Sequence, residues 1–234
     1  MHSRPQEVAS VKLDGEFAKR VFAVIPVKDP DLGKSRLSPL LERSQRRALN
    51  LMWARHTFEV CTAYFGGERT IVVSSSIDIR QIATQYGARV LDEVENACGM
   101  NGALRAGAKF AVDSGAKAVV AIPTDLPFLS ILMLRCALAH LPMQNGCLLV
   151  PDRRGTGTNL MAISPVDSAL FSFGERSLER HTREARKRGY RVQIHRSAAL
   201  SVDIDVPDDL RYLKDINEFE ASAANWSLTA NANH

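Results

Sequence analysis

The feature that most constrains the fold is a repeated alternation of short apolar segments with longer amphipathic ones. The first apolar segment, residues 21–27, is continuous and partly β-branched, which is typical of a strand buried on both faces. The same pattern predicts further strands at residues 70–74, 88–91, 118–122, 147–150, 160–164 and 191–195. Helices are predicted at about 44–63, 78–86, 101–112, 130–140 and 177–188, the first of them capped by Ser44.

Strands that alternate with helices form parallel sheets with right-handed crossovers, so this order predicts an α/β fold. The expected architecture is a three-layer αβα sandwich around a Rossmann-like, mostly parallel sheet. A single domain over residues 21–216 is predicted, between a charged, poorly ordered extension (1–20) and a frayed tail (217–234).

Composition narrows the class of protein. The first twenty residues lack the apolar centre of a secretory signal, and no apolar run approaches the roughly 20 residues of a membrane helix. A cytoplasmic protein without a membrane contact is therefore expected. Four cysteines are widely spaced, without a CxxC pair, and are predicted to be buried, reduced thiols: Cys61, Cys98, Cys136 and Cys147.

The chain carries 30 Lys and Arg against 26 Asp and Glu, a balance that suits either a nucleic acid or a phosphate-bearing small molecule. Only two tryptophans and four tyrosines are present, and no basic stretch is interleaved with aromatic residues. Because single strands bind on such stacking platforms, nucleic acid is disfavoured as a partner.

A loop after the first predicted strand gathers three cations, Lys28, Lys34 and Arg36, around Gly33. Ligands bind beyond the carboxyl ends of the strands in open parallel sheets, so this loop is a candidate cradle for a triphosphate. It is not a Walker A loop, because Lys28 stands where that motif requires its first glycine. The alternative is an ordinary solvated basic loop.

Carboxylates follow two other predicted extended segments. Asp125 comes directly after the strand that ends near Pro123, and Asp203 and Asp205 alternate with Ile204 so that both point to one side. Magnesium prefers one or two carboxylates together with substrate phosphates and water. The alternatives are an Asp in a strand-to-helix turn and, for Asp205, the cap of a helix that begins near Pro207.

Two glycine-containing segments can present backbone amides to an anion. The first is residues 152–159, which does not complete a dinucleotide fingerprint because Leu160 replaces its third glycine. The second is residues 173–177, for which a helix cap at Ser177 is the alternative. The chain contains neither HExxH nor GxSxG, so hydrolase chemistry is disfavoured.

Taken in order, eight short motifs closely resemble the 2-phospho-L-lactate guanylyltransferase family. They are residues 25–28 (IPVK), 33–37 (GKSRL), 99–101 (GMN), 124–127 (TDLP), 152–159 (DRRGTGTN), 173–174 (FG), Ser177 and 203–205 (DID). The resemblance spans residues 22–210. It implies the nucleotide-diphospho-sugar transferase type of fold of the MobA-like nucleotidyltransferases, and a role in coenzyme F-420 biosynthesis.

The resemblance also implies a role for each site residue. A magnesium cofactor would be bound by three carboxylates: Asp125, Asp203 and Asp205. Catalysis and nucleotide binding would involve Lys28, Lys34, Arg36 and Asp125, with Asn101 also near the nucleotide. The phosphate and carboxylate of the acceptor would be bound by Thr158, Gly174 and Ser177.

The reaction implied is transfer of GMP from GTP to a small phosphorylated acid, with release of pyrophosphate. The acceptor stays open among 2-phospho-L-lactate, phosphoenolpyruvate and 3-phospho-D-glycerate. A homodimer, and handover of the product to the next transferase, are expected on the same basis. Two alternatives remain: a nucleotidyltransferase of the same fold that uses CTP or another nucleotide, and a non-catalytic GTP-binding regulatory module.

Overall fold

The computed structural model describes residues 15–92, 99–142 and 144–212. Its strands are β1 (Val21–Pro26), β2 (Thr70–Val73), β3 (Arg89–Leu91), β4 (Ala118–Ala121), β5 (Gly146–Pro151), β6 (Thr158–Ser164) and β7 (Arg191–Ile194). Its α-helices are α1 (Gly15–Ala18), α2 (Arg43–Phe65), α3 (Ile77–Gln85), α4 (Gly99–Asp113), α5 (Ile131–Leu138) and α6 (Ser177–Lys187). Short 3-10 helices lie at Ser35–Leu37, Gly67–Arg69, Ser168–Leu170 and Pro207–Arg211.

The strands form one sheet in the order β3-β2-β1-β4-β6-β5-β7. All neighbours pair in parallel except β6, which is antiparallel to both β4 and β5. The predicted three-layer, mostly parallel architecture is therefore confirmed. Because β6 runs the opposite way, the loop between β5 and β6 lies at the same edge of the sheet as the carboxyl ends of the other strands.

The sheet is covered on both faces. Residues of α2, α3 and α5 pack in one apolar cluster, whose largest fully buried side chain is Phe58. Residues of α4 and α6 pack on the opposite face around Leu104 and Phe171. Helix α4 lies very close to β1, since a Cβ on Gly107 would be 2.4 Å from Cγ1 of Val24. Glycine is required there by this approach of the helix backbone to the sheet.

A third apolar cluster lies beneath the site-bearing loops. It joins Leu37 and Trp53 to Phe128, Val202 and Ile204, and both Leu37 and Ile204 are fully buried. Two segments that are 167 residues apart in the chain are thus fixed on the same small core. This cluster decides how the loop after β1 and the segment before Pro207 face each other.

Details of the helix starts differ from the predictions. Helix α2 begins at Arg43 with Glu42 as its N-cap, and the Glu42 amide donates to Oε1 of Gln45, so the prediction that Ser44 caps this helix is wrong. Helix α6 begins at Ser177 itself, after Arg176 in a left-handed conformation. The hydroxyl of Ser177 is therefore not an N-cap, contrary to the alternative considered from sequence.

The cysteines are free thiols where the structure describes them. Cys61 and Cys147 are buried, as predicted, whereas Cys136 is exposed on α5, so the prediction of burial is wrong there. Cys98 lies outside the described residues. Across the described residues, no helix combines the length and apolar character needed to span a bilayer.

Most of the predicted N-terminal extension and all of the predicted C-terminal tail lie outside the described residues. Within the extension, Phe17 of α1 packs against the core that α2 forms with the sheet. The division of the chain into extension, domain and tail stays a prediction.

Candidate active site at the carboxyl edge of the sheet

A cleft of about 990 Å³ lies at the edge where β1 and β4 end. We call residues 28–36 the basic loop, residues 152–157 and 172–177 the glycine loops, and residues 203–205 the acidic segment. Seven of the predicted site residues line the cleft: Lys28, Lys34, Arg36, Asp125, Gly174, Asp203 and Asp205. The other three, Asn101, Thr158 and Ser177, lie next to the lining residues Met100, Gly157 and Arg176. The fold therefore brings all ten to one place.

Lys34 is the most enclosed cation of the basic loop. Its backbone is left-handed (φ 56°), and its side chain is only 9% exposed. The ammonium lies 5.5 Å from the centre of the Trp53 ring and 3.2 Å from Oδ2 of Asp125. Non-glycine residues rarely adopt this backbone conformation, which costs about 1 kcal/mol or more. Burial of the neighbouring Leu37 in the third cluster anchors the loop that carries it.

Arg36 and Asp205 form the second ion pair across the cleft. Their Nη1 and Oδ2 atoms are 2.8 Å apart, and the side chains are 71% and 42% exposed. Exposed ion pairs of this kind contribute little to stability, so their partners are easily exchanged. Lys28 is also exposed at the cleft.

Asp203 is the carboxylate whose ionisation is most disfavoured. Burial and, next, the negative charge of Asp125 raise its pKa to about 6, against hydrogen bonding that includes the Asn159 side chain. The Ile204 amide donates to the backbone carbonyl of Asp125 at 3.3 Å, which ties the acidic segment to the loop after β4. Ile204 is fully buried while Asp203 and Asp205 line the cleft, so the predicted alternation is confirmed.

Asp209 supports the acidic segment and was not singled out from sequence. Its buried carboxylate accepts the amides of Asp205 and Val206, both at 2.9 Å, and pairs with Arg153 at 2.6 Å. Burial alone would raise the pKa of Asp209, but these hydrogen bonds hold it below its ordinary value. The sequence signal was its position as the third residue of the helix that begins at Pro207. Asp205 is therefore not the cap of that helix.

The described carboxylates do not by themselves enclose a cation. Among the residues that the structure describes, no three His, Cys, Asp or Glu side chains converge on one point. Asp125 and Asp203 repel each other electrostatically, and Lys34 and Arg36 contact Asp125 and Asp205 respectively. Two carboxylates supplemented by phosphate oxygens are a suitable donor set for magnesium.

The first glycine loop turns back on itself. Gly155 has φ +71°, and Oδ1 of Asp152 accepts the Thr156 amide at 2.8 Å. The carbonyl of Thr156 accepts the Leu178 amide at 3.0 Å, which joins this loop to the first turn of α6. Arg153, which forms an ion pair with Asp209, also lines the cleft.

The second glycine loop is held by Asn101. The Asn101 amide donates to the carbonyl of Phe173 at 3.0 Å, and its oxygen accepts the Phe173 amide at 2.7 Å. Gly174 follows with φ +132°, a conformation that disfavours any other residue. Asn101 thus positions this loop, and its contact with a nucleotide stays a prediction.

Thr158 begins β6 at the end of the first glycine loop. Its Oγ1 is 3.0 Å from Nδ1 of His181, a fully buried histidine of α6. Nε2 of His181 accepts the Ser172 amide at 3.2 Å, and Phe173 packs edge-on against the imidazole. Burial and the nearby Arg180 lower the pKa of His181 to about 4, so the ring is neutral near pH 7. His181 matches no sequence motif, and only the fold reveals its contacts.

Known proteins share much of this sequence and its fold. Residues 21–215 match the family described as "Guanylyl transferase CofC like". A 3-phospho-D-glycerate guanylyltransferase of Colwellia psychrerythraea is 34% identical over 195 residues, covering 83% of this chain and 91% of the relative. A phosphoenolpyruvate guanylyltransferase of Sphaerobacter thermophilus is also 34% identical, over 82% and 91% of the two chains.

Among solved structures, a putative nucleotide-diphospho-sugar transferase of Desulfovibrio desulfuricans G20 superimposes with a TM-score of 0.64. The two chains are 15% identical, and the match covers 83% of this chain and 86% of the other. This likeness concerns the fold.

Proposed function

Because the chain belongs to the CofC-like guanylyl transferase family, we propose that its cleft joins the GMP part of GTP to a small phosphorylated acid. Membership of this family makes the chain a nucleotidyltransferase enzyme. The observation that supports the specific reaction is the meeting of three cations of the basic loop, three carboxylates and two glycine loops in one cleft. Pyrophosphate is the second product.

The two substrates bind on opposite sides of the cleft in this proposal. The GTP phosphates lie against the basic loop, where Lys28, Lys34 and Arg36 neutralise their charge. The phosphate and carboxylate of the acid lie against the glycine loops, near Thr158, Gly174 and Ser177. Gly174, with a positive φ that other residues rarely adopt, lets the backbone of the second loop approach such an anion.

Magnesium is the proposed cofactor, bound by Asp125 and Asp203, with Asp205 joining once Arg36 turns to a phosphate. The support is electrostatic: the half-buried Asp203 is repelled by Asp125 and has a raised pKa, so a cation would favour the ionised form of both. When bound, the ion supplies charge neutralisation at the phosphates.

The reaction needs no covalent enzyme intermediate, because the acceptor already carries a nucleophilic phosphate oxygen. That oxygen forms a bond to the α-phosphorus of GTP while the bond to pyrophosphate breaks, and the leaving group departs with the electron pair. The side chains position two polyanions in line and offset the negative charge that spreads during transfer. Lys34 is best placed to do so, because Trp53 and the buried Leu37 restrict its movement.

The identity of the acid is a finer proposal. The two relatives described above are equally similar to this chain and are named for different acids. Overall similarity therefore does not choose between phosphoenolpyruvate, 3-phospho-D-glycerate and 2-phospho-L-lactate. We place the reaction in coenzyme F-420 biosynthesis in the cytoplasm, by a homodimer that hands its product to the next transferase, since these are the expectations for the family.

The test is pyrophosphate release with GTP and magnesium, measured with each of the three acids and without acceptor. CTP and ATP replace GTP in parallel reactions. Turnover with GTP and one acid, lost in Asp125→Ala, is the expected result. Turnover only with another nucleotide would contradict guanylyl transfer, and GTP binding without turnover with any acid would favour the regulatory module.

A further inference from the structure

The imidazole of His181 has a defined proton position. A backbone amide can only donate, so the Ser172 amide 3.2 Å from Nε2 requires that nitrogen to be an unprotonated acceptor. The neutral ring then carries its proton on Nδ1. This nitrogen is 3.0 Å from Oγ1 of Thr158, to which it must donate.

The direction of that hydrogen bond decides what the Thr158 hydroxyl can do. Oγ1 accepts from His181, so its own hydrogen has to point to another acceptor. Thr158 is 8% exposed and follows Gly157, which lines the cleft. A hydroxyl donor at this position suits an anion bound between the glycine loops.

The same imidazole also joins the two glycine loops. It contacts Ser172 in one loop and Thr158 at the end of the other, and it belongs to the helix that Ser177 begins. This buried side chain therefore helps to set the separation between the two loops, together with the contact of the Leu178 amide with the Thr156 carbonyl.

We propose that His181 is a positioning residue, which fixes the hydroxyl of Thr158 as a hydrogen-bond donor to the phosphorylated acid. The inference rests on the proposed function, because it takes the glycine loops as the acceptor side of the cleft. It extends that function by naming the residue that orients the acceptor contact without touching the substrate itself.

Two substitutions separate the two contacts of the ring. An Asn amide can occupy the place of Nδ1 and keep a donor to Thr158, whereas a Gln amide reaches the place of Nε2 and keeps only the Ser172 contact. His181→Gln should raise the KM for the acid about tenfold or more, the usual cost of a lost hydrogen bond to a charged group. His181→Asn should restore most of that loss, and the KM for GTP should stay within about twofold in both.

A ring-nitrogen NMR spectrum of the full chain at pH 7 tests the proton position directly. His181 is assigned from the signal lost in His181→Gln, and a protonated Nδ1 is expected. A protonated Nε2 overturns the proposal. So does an unchanged KM for the acid in His181→Gln, when the wild-type protein is active.

Thr158→Val tests whether His181 acts through the hydroxyl of Thr158. It should raise the KM for the acid as His181→Gln does, and the double variant should be no worse than either alone. Additive losses would overturn the proposal, since they would mean that His181 acts independently of Thr158. If the wild-type protein turns over none of the three acids, the proposed function fails, and the acceptor contact fails with it.

Discussion

The two sides of the cleft are held together in different ways. On the basic-loop side, Lys34 and Arg36 form ion pairs with Asp125 and Asp205, at 3.2 and 2.8 Å. On the glycine-loop side, Asn101 and His181 hold the loops through hydrogen bonds, and the buried Asp209 holds Arg153 of the first glycine loop. An ion pair can exchange one partner for a phosphate or a cation, whereas a network of hydrogen bonds to the backbone keeps its shape.

The difference indicates that the two sides of the cleft have different roles in binding. The basic-loop side already carries balanced charge, so it can receive a nucleotide and a cation by exchange of partners. The glycine-loop side is preorganised, which reduces the entropy lost when a small acid binds. Substitutions on the first side should therefore change binding and catalysis, and those on the second should also change stability.

The largest effect is expected for Asp125→Ala, which removes the carboxylate shared by Lys34 and the proposed cation site. Turnover should fall by about 10²–10³ or more, the usual cost of removing one electrostatic contact from a transition state. Pyrophosphate release measures it. Asp92→Ala is the control, because this carboxylate also follows a strand at the same edge but is 70% exposed and pairs with Arg80. Equal losses in both variants would contradict a specific role for Asp125.

The next effect should appear in stability, from Asp209→Ala. The substitution leaves Arg153 and the amides of Asp205 and Val206 without the carboxylate that they share. We expect the free energy of unfolding to fall by about 3 kcal/mol. Urea denaturation measures it, with Asp208→Ala as the exposed neighbouring control. A loss of activity without a loss of stability would mean that Asp209 acts on the substrate rather than on the fold.

The sequence predicted the framework of the fold because its signals are local. Continuous apolar runs marked the strands, and the alternation with helices predicted the parallel sheet. The reversal of β6 was not predicted, although the six residues 152–157 are too few for a parallel crossover, which needs a dozen or more. The places of Asp125, Asp203 and Lys34 followed from the rule that ligands bind at the carboxyl edge.

The contacts within the site could not be predicted in the same way. Lys34 meets Asp125 across 91 positions of sequence, and Thr158 meets His181 across 23. Such pairs depend on where the third apolar cluster and α6 hold the loops. The periodicity of apolar residues in the sequence does not predict those positions. A histidine inside a helix, such as His181, has no local signal that separates a structural role from a solvated one.

A smaller effect is expected for Lys34→Ala, which removes a cation while leaving the glycine loops untouched. The KM for GTP should rise about tenfold, and the KM for the acid should stay nearly unchanged, because the lost contact is a charge-assisted hydrogen bond to phosphate. Initial rates with each substrate varied in turn measure the two constants. Lys19→Ala, at an exposed lysine that pairs with Glu16, is the control. Equal rises in both constants would contradict the proposal that GTP and the acid bind on separate sides of the cleft.

The smallest effect concerns Asp203→Asn and depends on pH. The folded pKa of Asp203, about 6, lies above the ordinary value of 3.8, so the folded state favours the protonated carboxyl. Its contribution to stability is therefore present below about pH 4 and is lost as the pH rises through 6. Asparagine resembles the protonated form, so the variant should match the wild-type protein at pH 4. At pH 8 it should be more stable by about 1 kcal/mol, since one pKa unit corresponds to about 1.4 kcal/mol and partial exposure reduces the effect. Thermal unfolding across this range measures the difference.

Magnesium should raise the melting temperature of the wild-type protein at pH 8 more than that of the variant. A variant less stable than wild type at pH 8 without magnesium would mean that Asp203 is already compensated, and that the basic-loop side holds its charge in balance without a cation.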